Sequence, residues 1–282
     1  MTKRSKTKFY PVAMTIAGSD SGGGAGIAAD LRTFNALGVF GTCAITAVTS
    51  QNPAAVRRID ALDAGAVTAQ IDAVCEKIAV KYVKTGMLYS SAVISAVAGA
   101  VKKHDFILVC DPLMVSTSGH KLLQDEAIET VKSELLPLAS WITPNIPEAE
   151  LLTGCRISGV ADMLTAAGKL SEQYPGAIWL KGGHLSGNAG VDVIIRDGRK
   201  YIISAPELPL PPFASHGTGC TLSAALTAML PLDLSWKQAV CGSKAFVYGS
   251  LAQTVEIGPG VNAMYPPLDD YSSMIKLEAQ DD

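Results

Sequence analysis

The chain has 282 residues, 48% of them hydrophobic, a net charge of −3 and an isoelectric point near 5.8. That is enough apolar material for a large core, and it argues against a nucleic-acid binder, because Lys and Arg cluster only at Lys3, Arg4, Lys6 and Lys8 and offer no basic face to a phosphate backbone. No apolar run is long enough to span a membrane, and the six cysteines (Cys43, Cys75, Cys110, Cys155, Cys220 and Cys241) show no C-x-x-C and no metal-ligand spacing with the four histidines; no zinc site is expected, and free thiols in a reducing, cytoplasmic compartment are.

In chain order, residues 1–10 form a basic tail. The octet followed by Phe9-Tyr10-Pro11-Val12 superficially resembles a secretory signal, but its apolar part is short, holds Pro11, and its removal would take the first strand with it. Residues 12–17 read as a short buried strand. A glycine-rich loop, 18–26, leads into a helix with Ile27, Leu31, Phe34 and Leu37 at helical spacing. A strand follows at about 41–49. Asp63 caps a helix over 64–78, with Val67, Ile71, Val74 and Ile78 on one face. Then come a strand at 80–85, a helix at 91–103 and an apolar strand at 106–110 that ends on Asp111-Pro112. A helix at 125–134 precedes a short strand at 141–143 and a short helix at 147–153 closed by Gly154. A helix at 160–173 and a strand at 177–181 follow. Residues 191–196 and 200–204, joined at Asp197-Gly198, read as a hairpin. A proline-rich stretch, 206–212, reads as a semi-rigid loop, and helices at 218–230 and 235–253 complete the pattern. Strands that are apolar throughout, alternating with helices, predict an α/β fold with a parallel sheet covered on both faces.

Two glycine-rich loops carry chemistry. Gly24-Ala25-Gly26-Ile27-Ala28-Ala29 fits the looser dinucleotide fingerprint G-x-G-x-x-A. That fingerprint needs an acid roughly 20 positions on to hold a ribose, and the next strand ends in Ser50-Gln51-Asn52 instead. No G-x-x-x-x-G-K-[ST] occurs, so a P-loop is not supported. The second loop, Ser215-His216-Gly217-Thr218-Gly219-Cys220-Thr221, opens an apolar helix. Its glycines let several N–H groups converge, and the helix adds its positive end. Together they make an anion site whose usual occupant is phosphate. Cys220 stands on the first turn, where a thiol pKa tends to fall.

In a parallel sheet, ligands bind beyond the carboxyl ends of the strands. Those ends bring together the 18–26 loop, Gln51-Asn52, Gly86-Met87, Asp111-Pro112, Thr143-Pro144-Asn145, Lys181-Gly182-Gly183-His184 and Gly217 to Cys220. Taken singly, each has a structural reading. Asp111 can open a turn, Glu148 can favour the first turn of its helix, Lys181 can be a strand-end residue and Gln51 a loop amide. Taken together, the carboxylates of Asp111 and Glu148, the amide of Asn145, the cation of Lys181 and the anion site suit phosphoryl transfer: oxygen ligands or their waters for magnesium, a cation on the phosphates, donors aimed at developing charge.

Thr15-Ile16-Ala17-Gly18-Ser19-Asp20, Gly23-Gly24-Ala25-Gly26-Ile27, Ala47-Val48-Thr49-Ser50-Gln51-Asn52, Lys84-Thr85-Gly86-Met87-Leu88, Asp111-Pro112-Leu113-Met114-Val115, Thr143-Pro144-Asn145-Ile146-Pro147-Glu148-Ala149-Glu150, Lys181-Gly182-Gly183-His184 and His216-Gly217-Thr218-Gly219-Cys220-Thr221 occur in this order over nearly the whole chain. The set resembles the hydroxymethylpyrimidine/phosphomethylpyrimidine kinases of thiamine biosynthesis. The resemblance implies a ribokinase-like three-layer sandwich over 11–268, with 269–282 as a C-terminal tail, in a homodimer. It implies ATP as co-substrate with Mg2+, and two successive phosphorylations of hydroxymethylpyrimidine, to the monophosphate and then the diphosphate. Gly18, Asp30, Gln51 and Met87 would line the pyrimidine pocket. Thr143, Asn145, Lys181, His216 and Lys244 would serve ATP, with Asp111 and Glu148 reaching the magnesium directly or through water. Gly217, Thr218, Gly219 and Cys220 would form the anion hole, with Lys181 beside it and Cys220 as general base. A pyridoxal or pyridoxine kinase on the same scaffold is the nearest alternative, and a non-catalytic vitamin-binding protein is the alternative from another class. Departures from the family pattern are Ser21, where proline is frequent, the proline-rich 206–215 loop, and Gly258-Pro259-Gly260-Val261-Asn262, which matches the C-terminal glycine motif loosely.

Overall fold

The structure is a computed structural model and describes residues 10–114, 123, 125–183, 185 and 190–280. The basic tail through residue 9, Val115 and His184 lie outside the described residues. Strand β1 (Val12–Ala17) runs into the glycine loop and helix α1 (Gly26–Ala36), and β2 (Phe40–Ile45) returns parallel to β1. The stretch expected as one strand over 41–49 is two. Thr46 breaks it: its N–H donates to Ala17 O at 2.9 Å and its hydroxyl to Met87 O at 2.6 Å. The chain then leaves the main sheet as the hairpin β3 (Ala47–Asn52) and β4 (Ala55–Ala61), with a bulge at Ser50/Gln51.

Regular alternation resumes with α2 (Ala64–Cys75), capped by Asp63 as expected, β5 (Tyr82–Thr85), α3 (Ser91–Lys103) and β6 (Ile107–Cys110). Helix α4 (Asp125–Thr130) passes into a π turn at Val131–Leu135. Strand β7 (Ala139–Ile142) leads to α5 (Ile146–Thr153), α6 (Val160–Gln173) and β8 (Ala177–Leu180). The hairpin β9 (Val191–Arg196) and β10 (Arg199–Ser204) turns at Asp197 and Gly198, both at positive φ. Helices α7 (Thr218–Met229) and α8 (Trp236–Ala252) precede a small hairpin, β11 (Val255–Gly258) with β12 (Val261–Ala263), and a last strand, β13 (Lys276–Gln280).

The nine-stranded sheet has the order β13-β10-β9-β8-β7-β6-β5-β1-β2. It is parallel from β2 to β8 and antiparallel from β8 to β13. The segment 269–282, expected as a tail beyond the domain, therefore contributes an edge strand: Lys276–Gln280 pairs with β10 over five residues. Its polar alternation, with one side toward solvent, masks it in the sequence. Helices cover both faces. On one, α2 to α6 bury Val67, Ile71, Val93, Val97, Met163 and Leu170. On the other, α1, α7 and α8 bury Phe34, Leu222, Leu226 and Val240. The second face also holds an aromatic cluster in which Trp141 lies 6.5 Å from Trp179 and 6.4 Å from Trp236, with the Arg196 guanidinium 5.3 Å above the Trp141 ring. The carboxyl ends of the parallel strands form one rim, as the sequence order predicts.

Candidate active site

Two adjacent cavities open on that rim. The first, about 380 Å³, is lined by Gly18, Ser19, Asp20, Gln51, Met87 and Cys220 among others, and the second by Asp192, Leu208, Leu210, Lys244, Val247 and Tyr248 among others. Lys181, Gly183, Thr218 and Gly219 line both. The cavities thus meet at the start of α7.

Local sequence explains the junction. Gly217 takes φ +84°, and a Cβ there would lie 2.0 Å from the Gly24 carbonyl oxygen. Only glycine fits this backbone against the first loop. The first turn of α7 leaves the N–H groups of Gly219 and Cys220 without intrahelical acceptors, so they are free for an anion. A Cβ on Gly219 would sit 3.2 Å from Lys181 Nζ, so the bare backbone lets the ammonium reach the loop. Lys181 is held by Asp111, whose Oδ1 accepts from Nζ at 2.8 Å, and Ser223 Oγ donates to the other oxygen at 3.2 Å. Burial works against the charge of Lys181, but Asp111 and Glu148 outweigh it and keep the ammonium charged.

Asn145 and Glu148 form a reciprocal capping box: Glu148 N–H donates to Asn145 Oδ1 at 2.9 Å and Asn145 N–H to Glu148 Oε2 at 2.8 Å. The structural reading of Glu148 is therefore real, and it is only half of the account. Its Oε1 is buried with no hydrogen-bond partner of ordinary geometry. Burial pushes its carboxyl up to about 8, with Lys181 opposing and Asp111 adding to the rise. A cation brought in beside it would relieve both. No group of three His, Cys, Asp or Glu among the described residues could hold a metal by itself. The donor set fits a magnesium that arrives on nucleotide phosphates, with Glu148 and Asp111 reaching it through water.

Gln51 and Met87 line the first cavity, with Gly18 beside them. A Cβ on Gly18 would lie 2.4 Å from the Met87 methyl. Ser21 Oγ donates to Gln51 O and accepts from Gln51 N–H, both at 2.7 Å. Thr49 Oγ1 donates to Ser19 O at 2.7 Å. These bonds dock the β3–β4 hairpin on the glycine loop. Asp30 does not line the cavity. It is fully buried on α1, accepts from Lys84 Nζ at 2.7 and 2.8 Å and from Thr15 Oγ1 at 2.6 Å, and it is Lys84 that reaches the cavity wall. Thr143 is also buried away from both cavities. His216 lines the first cavity rather than the second, because its Nε2 is held 2.8 Å from Asp20. Lys244 faces the second cavity, with Nζ 2.7 Å from Asp192 Oδ2.

Cys220 departs from the expectation of a lowered pKa. Burial pushes its thiol up, and the Lys84 ammonium pulls against that rise. Two residues of the site were not singled out by sequence reasoning. Lys84 is a lone cation inside a central strand. Asp192 is a lone acid in β9 that takes Trp179 Nε1–H at 3.0 Å, Gly182 N–H at 2.9 Å and Lys244. In each case the signal was a charge among the buried residues of a strand: Lys84 in Tyr82–Thr85 and Asp192 in Val191–Arg196, whose other charge, Arg196, stands at its end.

The family model described as phosphomethylpyrimidine kinase matches residues 20–265. The hydroxymethylpyrimidine/phosphomethylpyrimidine kinase of Rhizobium meliloti is 43% identical over 252 residues, covering 88% of this chain and 94% of that one. The protein of the same name from Bacillus subtilis is 42% identical over 250 residues, covering 88% and 92%. Among solved structures, the phosphomethylpyrimidine kinase of Clostridium difficile 630 superposes with a TM-score of 0.74 at 40% identity, over 84% of this chain and 98% of that one. The pyridoxal kinase of Staphylococcus aureus in complex with AMP-PCP and pyridoxal superposes with a TM-score of 0.86 at 26% identity, over 97% and 100%.

Proposed function

The chain belongs to the phosphomethylpyrimidine kinase family, and we propose that it phosphorylates hydroxymethylpyrimidine to the monophosphate and the monophosphate to the diphosphate in thiamine biosynthesis, with ATP as donor. One observation carries the reading. Lys181, Thr218 and Gly219 line both cavities, so a phosphoryl group on this loop faces a nucleotide on one side and an acceptor on the other.

The acceptor occupies the cavity of Gly18, Gln51 and Met87. An amide carries both a donor and an acceptor, which suits an aminopyrimidine edge. The nucleotide occupies the cavity of Lys244; Asn145 lines the acceptor cavity, bridged to the Lys181 strand end. The N–H groups from Gly217 to Cys220 and the Lys181 ammonium face the charge that develops on the transferred group. Glu148 and Asp111 are the residues that would hold a magnesium through its waters, and it would supply neutralisation of phosphate charge.

In the first step Cys220 first gives up its own proton to solvent; the acceptor oxygen then forms a bond to the γ-phosphorus as the bond to the β-phosphate oxygen breaks, and the hydroxyl proton passes to the Cys220 thiolate. Lys84 and the Gly26 N–H stabilise that sulfur as an anion. In the second step the nucleophile is a phosphate oxygen, already anionic, and no strong base is required. A neutral thiol repels it less than a carboxylate would. We also assign the chain to the cytoplasm, on its free cysteines, and to a homodimer, on its family.

The overlay with pyridoxal kinase favours a second reading on the same scaffold. ATP consumption with hydroxymethylpyrimidine, its monophosphate and pyridoxal as separate acceptors decides. Turnover of both pyrimidines is expected. A higher kcat/KM with pyridoxal and none with the monophosphate would move the assignment.

A further inference from the structure

We propose that Asp20 and His216 are positioning residues: they latch the loop that walls the acceptor cavity to the loop that holds the transferred phosphoryl group, and so set the distance the phosphoryl group crosses. The proposal rests on the kinase reading of the site.

The Asp20 carboxylate accepts four hydrogen bonds. Three come from its own loop: Gly22 N–H at 2.8 Å, Gly24 N–H at 3.1 Å and Ala25 N–H at 2.9 Å. The fourth comes from His216 Nε2 at 2.8 Å, 196 positions away. Burial works against the charged carboxylate, but the His216 and Gly22 donors outweigh it and hold Asp20 below its ordinary range. An ionised carboxylate has no proton to give, so Nε2 carries the hydrogen and His216 is the donor. The backbones are packed to the same end. A Cβ on Gly24 would lie 2.5 Å from Cδ2 of the His216 ring, and one on Gly217 would strike the Gly24 carbonyl. No slack is left between the loops.

The latch sits where it matters for transfer. Helix α1 starts at Gly26 and α7 at Thr218, and lower down they pack through Phe34, Ala224 and Ala228. That packing fixes the helices but not their leading loops. Asp20 and His216 both line the acceptor cavity and neither lines the nucleotide cavity. Misplacement of reacting groups by about 1 Å is worth on the order of 10²-fold in rate. Breaking the latch therefore lowers kcat in both phosphorylations and leaves nucleotide binding in place.

The test uses the full chain, with His216→Ala, His216→Gln and Asp20→Asn. We expect His216→Ala to lower kcat in both steps by about tenfold or more while KM for ATP stays within about threefold. A glutamine amide in place of the imidazole can still donate to Asp20, so His216→Gln recovers most of the loss. A kcat within about twofold of the parent, or a raised KM for ATP at unchanged kcat, overturns the proposal. Amide hydrogen exchange in the ligand-free chain gives a readout independent of the acceptor. Residues 22–25 should lose protection in His216→Ala while α1 keeps it, and unchanged protection overturns the latch. A parent enzyme that phosphorylates pyridoxal and neither pyrimidine removes the pyrimidine reading alone. The same split of kcat from KM, measured on pyridoxal, then decides the latch.

Discussion

On the acceptor side of Lys181 the polar groups are buried and paired with one another, whereas on the nucleotide side the wall is apolar and irregular. Asp30 with Lys84 and Asp20 with His216 are the buried pairs at the first cavity, reached there through Lys84, Asp20 and His216. The second is lined by Pro206, Leu208, Leu210, Val247 and Leu251, with Lys244 on Asp192 as its buried ion pair. Under the proposed assignment of the two cavities, the difference follows from what each side would handle. The acceptor is read in two forms, an alcohol and its phosphate, and must present one oxygen at one place. The nucleotide, in that assignment, would be held through its phosphates and leave after each turnover, so apolar contact would suffice for the rest of it.

The largest contrast is chemical. Cys220→Ser should slow the alcohol-to-monophosphate step by about 10²–10⁴-fold and the second step much less, because only the first has a proton to remove. Because burial raises the thiol above its ordinary pKa, the parent's first-step rate should rise with pH through neutrality, and the Ser variant should lose that slope. Equal slowing of both steps, measured with each acceptor alone, would leave Cys220 a role in shaping the anion hole only.

Next in size is stability. Lys84→Met strands a fully buried carboxylate and should cost about 3–5 kcal/mol in denaturant unfolding. Asp30→Asn in the same chain should restore much of it. Lys244→Met, whose side chain touches solvent, should cost less and act on KM for ATP. Similar losses for the two lysines would erase the contrast between the halves. Lys181→Ala should ignore the division: it serves both cavities, so kcat/KM should fall at least tenfold with either acceptor, within the roughly 2–4 kcal/mol of a lost transition-state charge contact. A loss confined to one acceptor would place Lys181 on one side.

The smallest effect is in acid. Asp20 is held below its ordinary 3.8, so its stabilisation is present above that pH and is lost as pH falls through the folded value. The Tm difference between the parent and Asp20→Asn should be a few degrees near neutrality and narrow below about pH 4. A constant difference would show that the charge of Asp20 is not what stabilises the loops.

Most of the rim was legible because parallel strands covered on both faces are apolar until they end, so polar residues at the ends stand out: Asp111 after Ile107–Cys110, Asn145 after Ala139–Ile142, Lys181 after Ala177–Leu180. What escaped was pairing over long separations. Asp30 and Lys84 are 54 positions apart, and the resemblance places Asp30 at the pyrimidine with no sign that its carboxylate is held by Lys84. His216 was assigned to ATP for the same reason, its partner Asp20 lying at the other end of the chain. The hairpin strand β4 is hard to read from sequence because Arg57, Arg58 and Asp60 interrupt its alternation, leaving Ile59 as the one large apolar residue on its Ala55–Ala61 face.

All three tryptophans of the chain lie in the cluster of Trp141, Trp179 and Trp236. Trp179 donates to Asp192, the carboxylate that also holds Lys244 and the Gly182 N–H. The molecule's tryptophan emission therefore originates beside the second cavity, with Trp179 two hydrogen bonds from the Lys244 ammonium through Asp192. Nucleotide arrival can be followed by the protein's own fluorescence, with no label attached, while an acceptor settling against Gln51 and Met87 has no indole nearby to report it.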